Sequence, residues 1–275
     1  MNHSEGARRV AVLSVFITVF LVFTLVFSQA ALVVSATTEN VQTSAIAKAG
    51  EFAGYGTEDA STAEFYIEKA EKANRFFTGN EGQFGSDVRF VADTEFGKAV
   101  FYDSRILYVL ERHEDGRLSC ADSVTMTFPG CNLVSPAGEG LKSHRSNYLF
   151  GEESNWITDV RSYDSIAYTD IWTGIDLVYT FSAQGLKYEF IVSPFVSVDV
   201  VRVSVQGASL SEDASTLVLD TGRGCLTDGD LMAGYGVSDE RLSARFVVEM
   251  NEYGFDIPER DISRAVVIDP LVSST

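Results

Sequence analysis

From Asp87 onward, apolar and β-branched residues alternate with polar ones in short runs bounded by Gly, Asp, Asn or Ser, and this two-residue period limits the fold more than any other feature. Successive side chains of a strand point to opposite faces, so such runs bury one face and wet the other. The runs read as strands are "DVRFVAD", "KAVFYD", "RILYVLER", "SVTMTF", "SNYLFG", "SIAYTD", "GIDLVYTF", "LKYEFIV", "VVRVSVQG", "STLVLDT", "RFVVEM", "YGFDI" and "RAVVID". Tight connections such as "HEDGR" at 113–117 and "SAQG" at 182–185 make antiparallel neighbours. The expected fold is therefore all-β, an antiparallel β-sandwich or barrel-like meander. No repeat of 20 to 50 residues marks a propeller or solenoid within the segment.

The first residues follow another rule. "MNHSEGARR" ends in Arg8 and Arg9, and Val10 to Ala36 then carries no charge. Positive charge is retained on the cytoplasmic side, so the remainder is expected outside. Val34-Ser35-Ala36 and Ser28-Gln29-Ala30 offer small residues where signal peptidases cut, while the apolar length also suits a hydrocarbon layer of ~30 Å. Residues 1–36 are thus a signal peptide or a signal anchor, forming a hydrophobic helix. Residues 37–57 are small and polar and read as a flexible linker, leaving 58–275 as the β-rich extracellular domain. Near the start of that domain, Ser61 with Glu64 makes a capping box, and Phe65, Ile67, Ala70 and Ala73 share a face, which predicts one short helix over 61–75.

Charge narrows the partners. Against 21 Lys and Arg stand 39 Asp and Glu, for a net −18, which repels phosphate backbones and excludes nucleic acid as a partner. Cys120 and Cys131 flank "ADSVTMTFPG" and could meet across a hairpin in an oxidising compartment, leaving Cys225 outside the bridge; three small buried hydrophobes is the other reading.

Candidate chemistry is sparse. Asp176 and Glu189 fall on neighbouring strands, where two carboxylates ~5–9 Å apart could serve glycosidic hydrolysis, although carboxylates on a wet sheet face also serve solubility. In "GIDLVYTF", Ile175, Leu177, Tyr179 and Phe181 share the core face and Asp176 takes the other. Trp156 and Trp172 are the candidate sugar-stacking residues, with burial in the core as their alternative. "DTGRGCLTDGD" at 220–230 invites calcium but lacks the oxygen alternation of a calcium loop, so turns between strands are expected there and no metal is assigned. The three histidines are scattered, and neither a nucleophile elbow nor a P-loop occurs.

Several stretches together resemble a known family. These are "FFTGNEGQFGSDVRFVAD" at 76–93, "NYLFGEESNWITDVRSYDSIAYTDIWTGIDLVY" at 147–179, "LKYEFIVSP" at 186–194 and "VVIDPLVSST" at 266–275. They are similar to the uncharacterised β-rich domain found N-terminal to SBBP-type β-propeller repeats in secreted bacterial and archaeal proteins. That likeness implies an N-terminal domain whose propeller is missing here, and it carries over no catalytic residue. The expected function is an exported, non-enzymatic structural or assembly domain, with a separate propeller chain or a surface polymer as partner. A carbohydrate-binding module and a secreted hydrolase are the alternatives.

Overall fold

A computed structural model describes residues 75–274 except 115–116, 214–215 and 237–239, and among these the chain forms strands and two single 3-10 turns. The expected leader of residues 1–36, the linker of 37–57 and all but the last residue of the helix expected over 61–75 lie outside the described residues. Among the described residues no helix is long and apolar enough to cross a membrane.

The described strands pair antiparallel throughout. One meander runs through β1 (Phe77–Gly79), β2 (Phe90–Thr94), β3 (Gly97–Phe101), β4 (Arg105–Glu114) and β5 (Arg117–Thr127). A second runs through β6 (Ala137–Tyr148), β7 (Ile157–Trp172), β8 (Ile175–Ser182) and β9 (Gly185–Val192). The remainder are β10 (Val203–Gln206), β11 (Ser209–Asp213), β12 (Thr216–Asp220), β13 (Cys225–Gly234), β14 (Arg241–Leu242), β15 (Arg245–Glu249), β16 (Glu252–Asp256) and β17 (Val266–Ser274).

Distant segments join these meanders into one ladder. β1 bridges β2 and β7, so the first strand links the two meanders. β10 lies between β5 and β16, and β16 pairs with β15. β17 lies between β9 and β13, which in turn pairs with β12 and β14. The ladder doubles back on itself: Phe101 of β3 meets Tyr179 of β8 at 5.0 Å between ring centroids, and Phe190 of β9 meets Phe255 of β16 at 5.7 Å. Between the two halves lies a core rich in aromatic rings, and each fully buried large apolar side chain is worth roughly 1.5–3 kcal/mol.

The alternation expected from sequence holds where the strands are regular. Ile175, Leu177 and Tyr179 of β8 and Leu186, Tyr188, Phe190 and Val192 of β9 all point into the core. The "SAQG" connection closes the β8–β9 hairpin with Ser182 opposite Gly185. Strands also form where none is expected, β1, β11 and the first half of β7 among them, and two further segments differ in extent. The strand expected over 146–151 instead begins at Ala137 and ends at Tyr148, because the polar run "GEGLKSHRS" takes its backbone partners from β7 and leaves most of its side chains in solvent. The turns expected across 220–230 occupy only its start, and β13 begins at Cys225.

Candidate functional site

β7 carries the stretch with the most aspartates near aromatics, and its local geometry explains them. Its register with β8 slips between Tyr168 and Trp172, an irregularity that turns Asp170 to a φ of 52°. The Asp170 N–H donates to Asp176 Oδ1 at 2.7 Å, and Asp170 Oδ1 accepts from the Gly174 N–H at 2.9 Å. Asn132 Nδ2 donates to the Asp170 carbonyl at 2.8 Å. Bulges of this kind leave backbone groups unpaired, and short polar side chains satisfy them. Both carboxylates are thus engaged in holding the β7–β8 corner.

Glu189 is bound elsewhere. Lys187 Nζ lies 2.9 Å from Glu189 Oε1 and 2.9 Å from Asp269 Oδ2, forming one outer-face cluster. Asp176 is opposite Ile191 and Glu189 is opposite Val178, so the two acids are diagonal neighbours roughly 7–8 Å apart. Neither residue lines the described cleft.

The tryptophans part company. Trp172 is 3% exposed, donates from Nε1 to the Pro129 carbonyl at 3.1 Å and stands edge-on to Phe128, so it offers no face to a sugar. Trp156 is 42% exposed and follows the 3-10 turn Glu153–Asn155.

The Cys120–Cys131 bridge expected from sequence is not formed, and the secondary structure gives the reason. Both are free thiols. Cys120 and Thr127 belong to one continuous strand, which separates them by roughly 23 Å at ~3.3 Å per residue, whereas a disulfide needs Cα atoms within ~7 Å. The segment between the cysteines is a strand rather than a hairpin. Cys131 instead packs against the core beside the corner, while Cys120 and Cys225 line one surface cleft of about 160 Å³. That cleft lies between the outer ends of β4 and β5 and the β12–β13 turn, with Phe96 and Leu110 at its apolar side and Arg112 and Asp122 at its polar side.

The group furthest from ordinary chemistry is Asp228 on β13, in a stretch where the sequence predicts turns. It is 1% exposed, its Oδ2 accepts from the Tyr188 hydroxyl, and its Oδ1 has no hydrogen-bond partner. Tyr188 and Tyr253 hydroxyls lie 3.0 Å apart, so the cluster spans both halves of the ladder. Burial pushes the Asp228 carboxyl up to about 7 against the opposing pull of the Tyr188 hydrogen bond. Burial and then the Asp228 charge raise Tyr188 well above the ordinary range. One signal in sequence pointed here: Leu226 and Asp228 share the parity of a strand, and Leu226 is core. The Asp228, Tyr188 and Tyr253 side chains are all enclosed in the core.

Among the described residues no group of three or more His, Cys, Asp or Glu side chains is arranged to hold a metal ion. In the stretch considered for calcium, Asp220 Oδ1 accepts from the Gly222 N–H at 2.6 Å, within the turn, and Asp228 faces the core.

A family model described as a domain of unknown function (DUF7948) matches residues 77–271. No curated protein and no solved structure matches the chain.

Proposed function

The chain belongs to the family described as a domain of unknown function (DUF7948), and from that premise we propose that it is an exported, non-enzymatic scaffold domain at the cell surface or in the medium. One observation carries the reading: the first and last described strands are both interior to the ladder. β1 sits between β2 and β7, and β17 sits between β9 and β13. Segments attached before β1 or after β17 are thereby fixed to strands paired on both sides, which suits a domain that positions something else. The positive start and uncharged stretch of Val10–Ala36 support export. The resemblance to domains that lead SBBP-type propellers suggests a propeller, on this chain or a separate one, as what is positioned.

Expression of the full chain in a bacterial host, with protease added to intact cells, tests this reading. The domain should be reached from outside or recovered from the medium, and it should release no sugar from a panel of cell-surface polysaccharides. Retention in the cytoplasm or release of product overturns it.

Exposed Trp156 and exposed Leu149, which flank the Tyr148–Ile157 pair of the β6–β7 ladder, favour a second reading as a surface-polymer-binding module. Retention of the domain on insoluble polysaccharide, lost in Trp156→Ala, would support it. Equal retention of both proteins would remove it.

A further inference from the structure

The two-residue period sets Lys187 and Glu189 of β9 and Asp269 of β17 on the outer face of the sheet, because Tyr188, Phe190 and Ile268 beside them are core. β9 and β17 keep one register from Val266 opposite Val192 to Leu271 opposite Lys187, which brings Asp269 level with Glu189. Lys187 Nζ lies between the two carboxylates, 2.9 Å from Glu189 Oε1 and 2.9 Å from Asp269 Oδ2. A wet sheet face leaves such charges in water, and this one largely does not. The side chains of Lys187, Glu189 and Asp269 are 25%, 28% and 20% exposed. Their cross-strand neighbours are apolar: Val178 is opposite Glu189, Met232 is opposite Asp269, and Ile191 and Val267 form a further pair of the ladder.

The backbone holds this trio together. β9 is paired with β8 and β17, and β17 with β9 and β13, so the amine and the Asp269 carboxyl cannot separate widely without opening an interior ladder. Groups held as neighbours in this way react with effective molarities of ~10⁵–10⁸ M, which brings within reach a condensation that is negligible between a free amine and a free acid in water. Loss of the two opposite charges also removes the cost of keeping an ion pair on a half-buried face.

We infer that the Lys187 amine and the Asp269 carboxyl condense to an intramolecular isopeptide bond, with Glu189 carrying the proton, so that β9 and β17 become covalently joined through their side chains. Before the bond forms the two are an ordinary ion pair. A proton passes from the Lys187 ammonium to the Asp269 carboxylate, leaving a neutral amine and a neutral carboxyl. Burial raises the Asp269 carboxyl and so favours this form, although burial of Lys187 is outweighed by its two carboxylate partners, which hold its ammonium above the ordinary range; the neutral pair is therefore a minor state and the bond forms slowly. The Nζ lone pair attacks Asp269 Cγ and the carbonyl electron pair moves to oxygen. Glu189 takes a proton from the attacking nitrogen and gives it to the departing hydroxyl. The Cγ–O bond breaks, water leaves and the carbonyl re-forms. One ammonium and one carboxylate have become one amide and one water, and Glu189 is again a carboxylate. The reaction needs no oxidant and no particular compartment, so it stands or falls separately from the proposed export and positioning role.

Peptide mapping by mass spectrometry of the folded full chain, incubated at neutral pH, tests the inference. The expected result is a branched peptide joining Lys187 to Asp269, lighter than its two parts by one water, with trypsin no longer cutting after Lys187. A chain held in urea throughout should give linear peptides alone. In Asp269→Asn the same amide should form with loss of ammonia instead of water. Lys187→Arg keeps the cation and should give no branched peptide, while in Glu189→Gln the branched peptide should accumulate ~10²-fold or more slowly. The inference is overturned if the folded wild-type chain yields only linear peptides, if Lys187 is found joined to Glu189, or if the urea-held chain or Glu189→Gln links as fast as the folded wild type.

Discussion

Asp228 sits in the core with one oxygen held by Tyr188 and the other unpartnered, and this arrangement fixes the sign of its effect on stability. With its carboxyl at about 7 in the fold against an ordinary value of 3.8, the native chain keeps a proton that the unfolded chain has lost across that interval. Stability from this residue is therefore full below about pH 4 and falls as pH rises to about 7, by something on the order of 4 kcal/mol at 1.36 kcal/mol per pH unit. Asp269, raised by burial, acts in the same direction, whereas His144, lowered by burial and by Arg145 and Lys142, opposes it. Asp228→Asn keeps the shape and removes the proton equilibrium, so urea midpoints measured from pH 4 to 8 should slope downward for the wild type and be markedly flatter for the variant. Parallel slopes would show that Asp228 is not the group responsible. Its neighbours in sequence, "TDGD", look like a turn, and only the parity with Leu226 exposed its inward position.

The β7–β8 corner shows why an element can be legible while its irregularity is not. The alternation of Ile175, Leu177 and Tyr179 placed the β8 core face correctly, and Gly174 with a φ of 76° lies in the tight connection between Trp172 and Ile175. Periodicity could not show that β7 runs from Ile157 to Trp172, because its bulge interrupts the two-residue count and its first half takes partners from β6 and β1. Nor could it show the backbone N–H of Asp170 seeking the Asp176 carboxylate, since that bond depends on the slip itself. Asp176→Ala gives this exposed N–H to water and should lower stability by about 0.5–1.5 kcal/mol, the net worth of one hydrogen bond, while Asp176→Asn keeps an acceptor and should cost less. Melting curves of the two variants decide the matter. An alanine variant as stable as wild type would mean that the corner is held by Gly174 and Asn132 alone.

At the scale of the molecule, the local hairpins β2–β3, β4–β5 and β8–β9 were readable because each turn and its flanking runs are contiguous in sequence. The pairings that unite them were not. Phe77 meets Tyr163, Thr127 meets Ser204 and Val192 meets Val266, and no one-dimensional pattern records which apolar face finds which. Such non-local closure pays loop entropy before contacts repay it, so folding should be slow for a chain of this size. The same topology makes strands unequal. Val267 of β17 is opposite Ile191 on one side and Gly234 on the other, whereas β6 is laddered to β7 alone among the described residues. Proline removes a donor and fixes φ, which an edge or a bulge tolerates and a regular interior ladder does not; the native Pro270 of β17 falls where the ladder to β13 is irregular, between the Met232–Asp269 and Gly229–Leu271 pairs. Val267→Pro should therefore cost about 3 kcal/mol or more and deplete soluble protein, while Ser143→Pro on β6 should remain soluble with a urea midpoint near that of the wild type. The contrast is the test: if both prolines were tolerated alike, β17 would not be the interior strand on which the proposed positioning role rests.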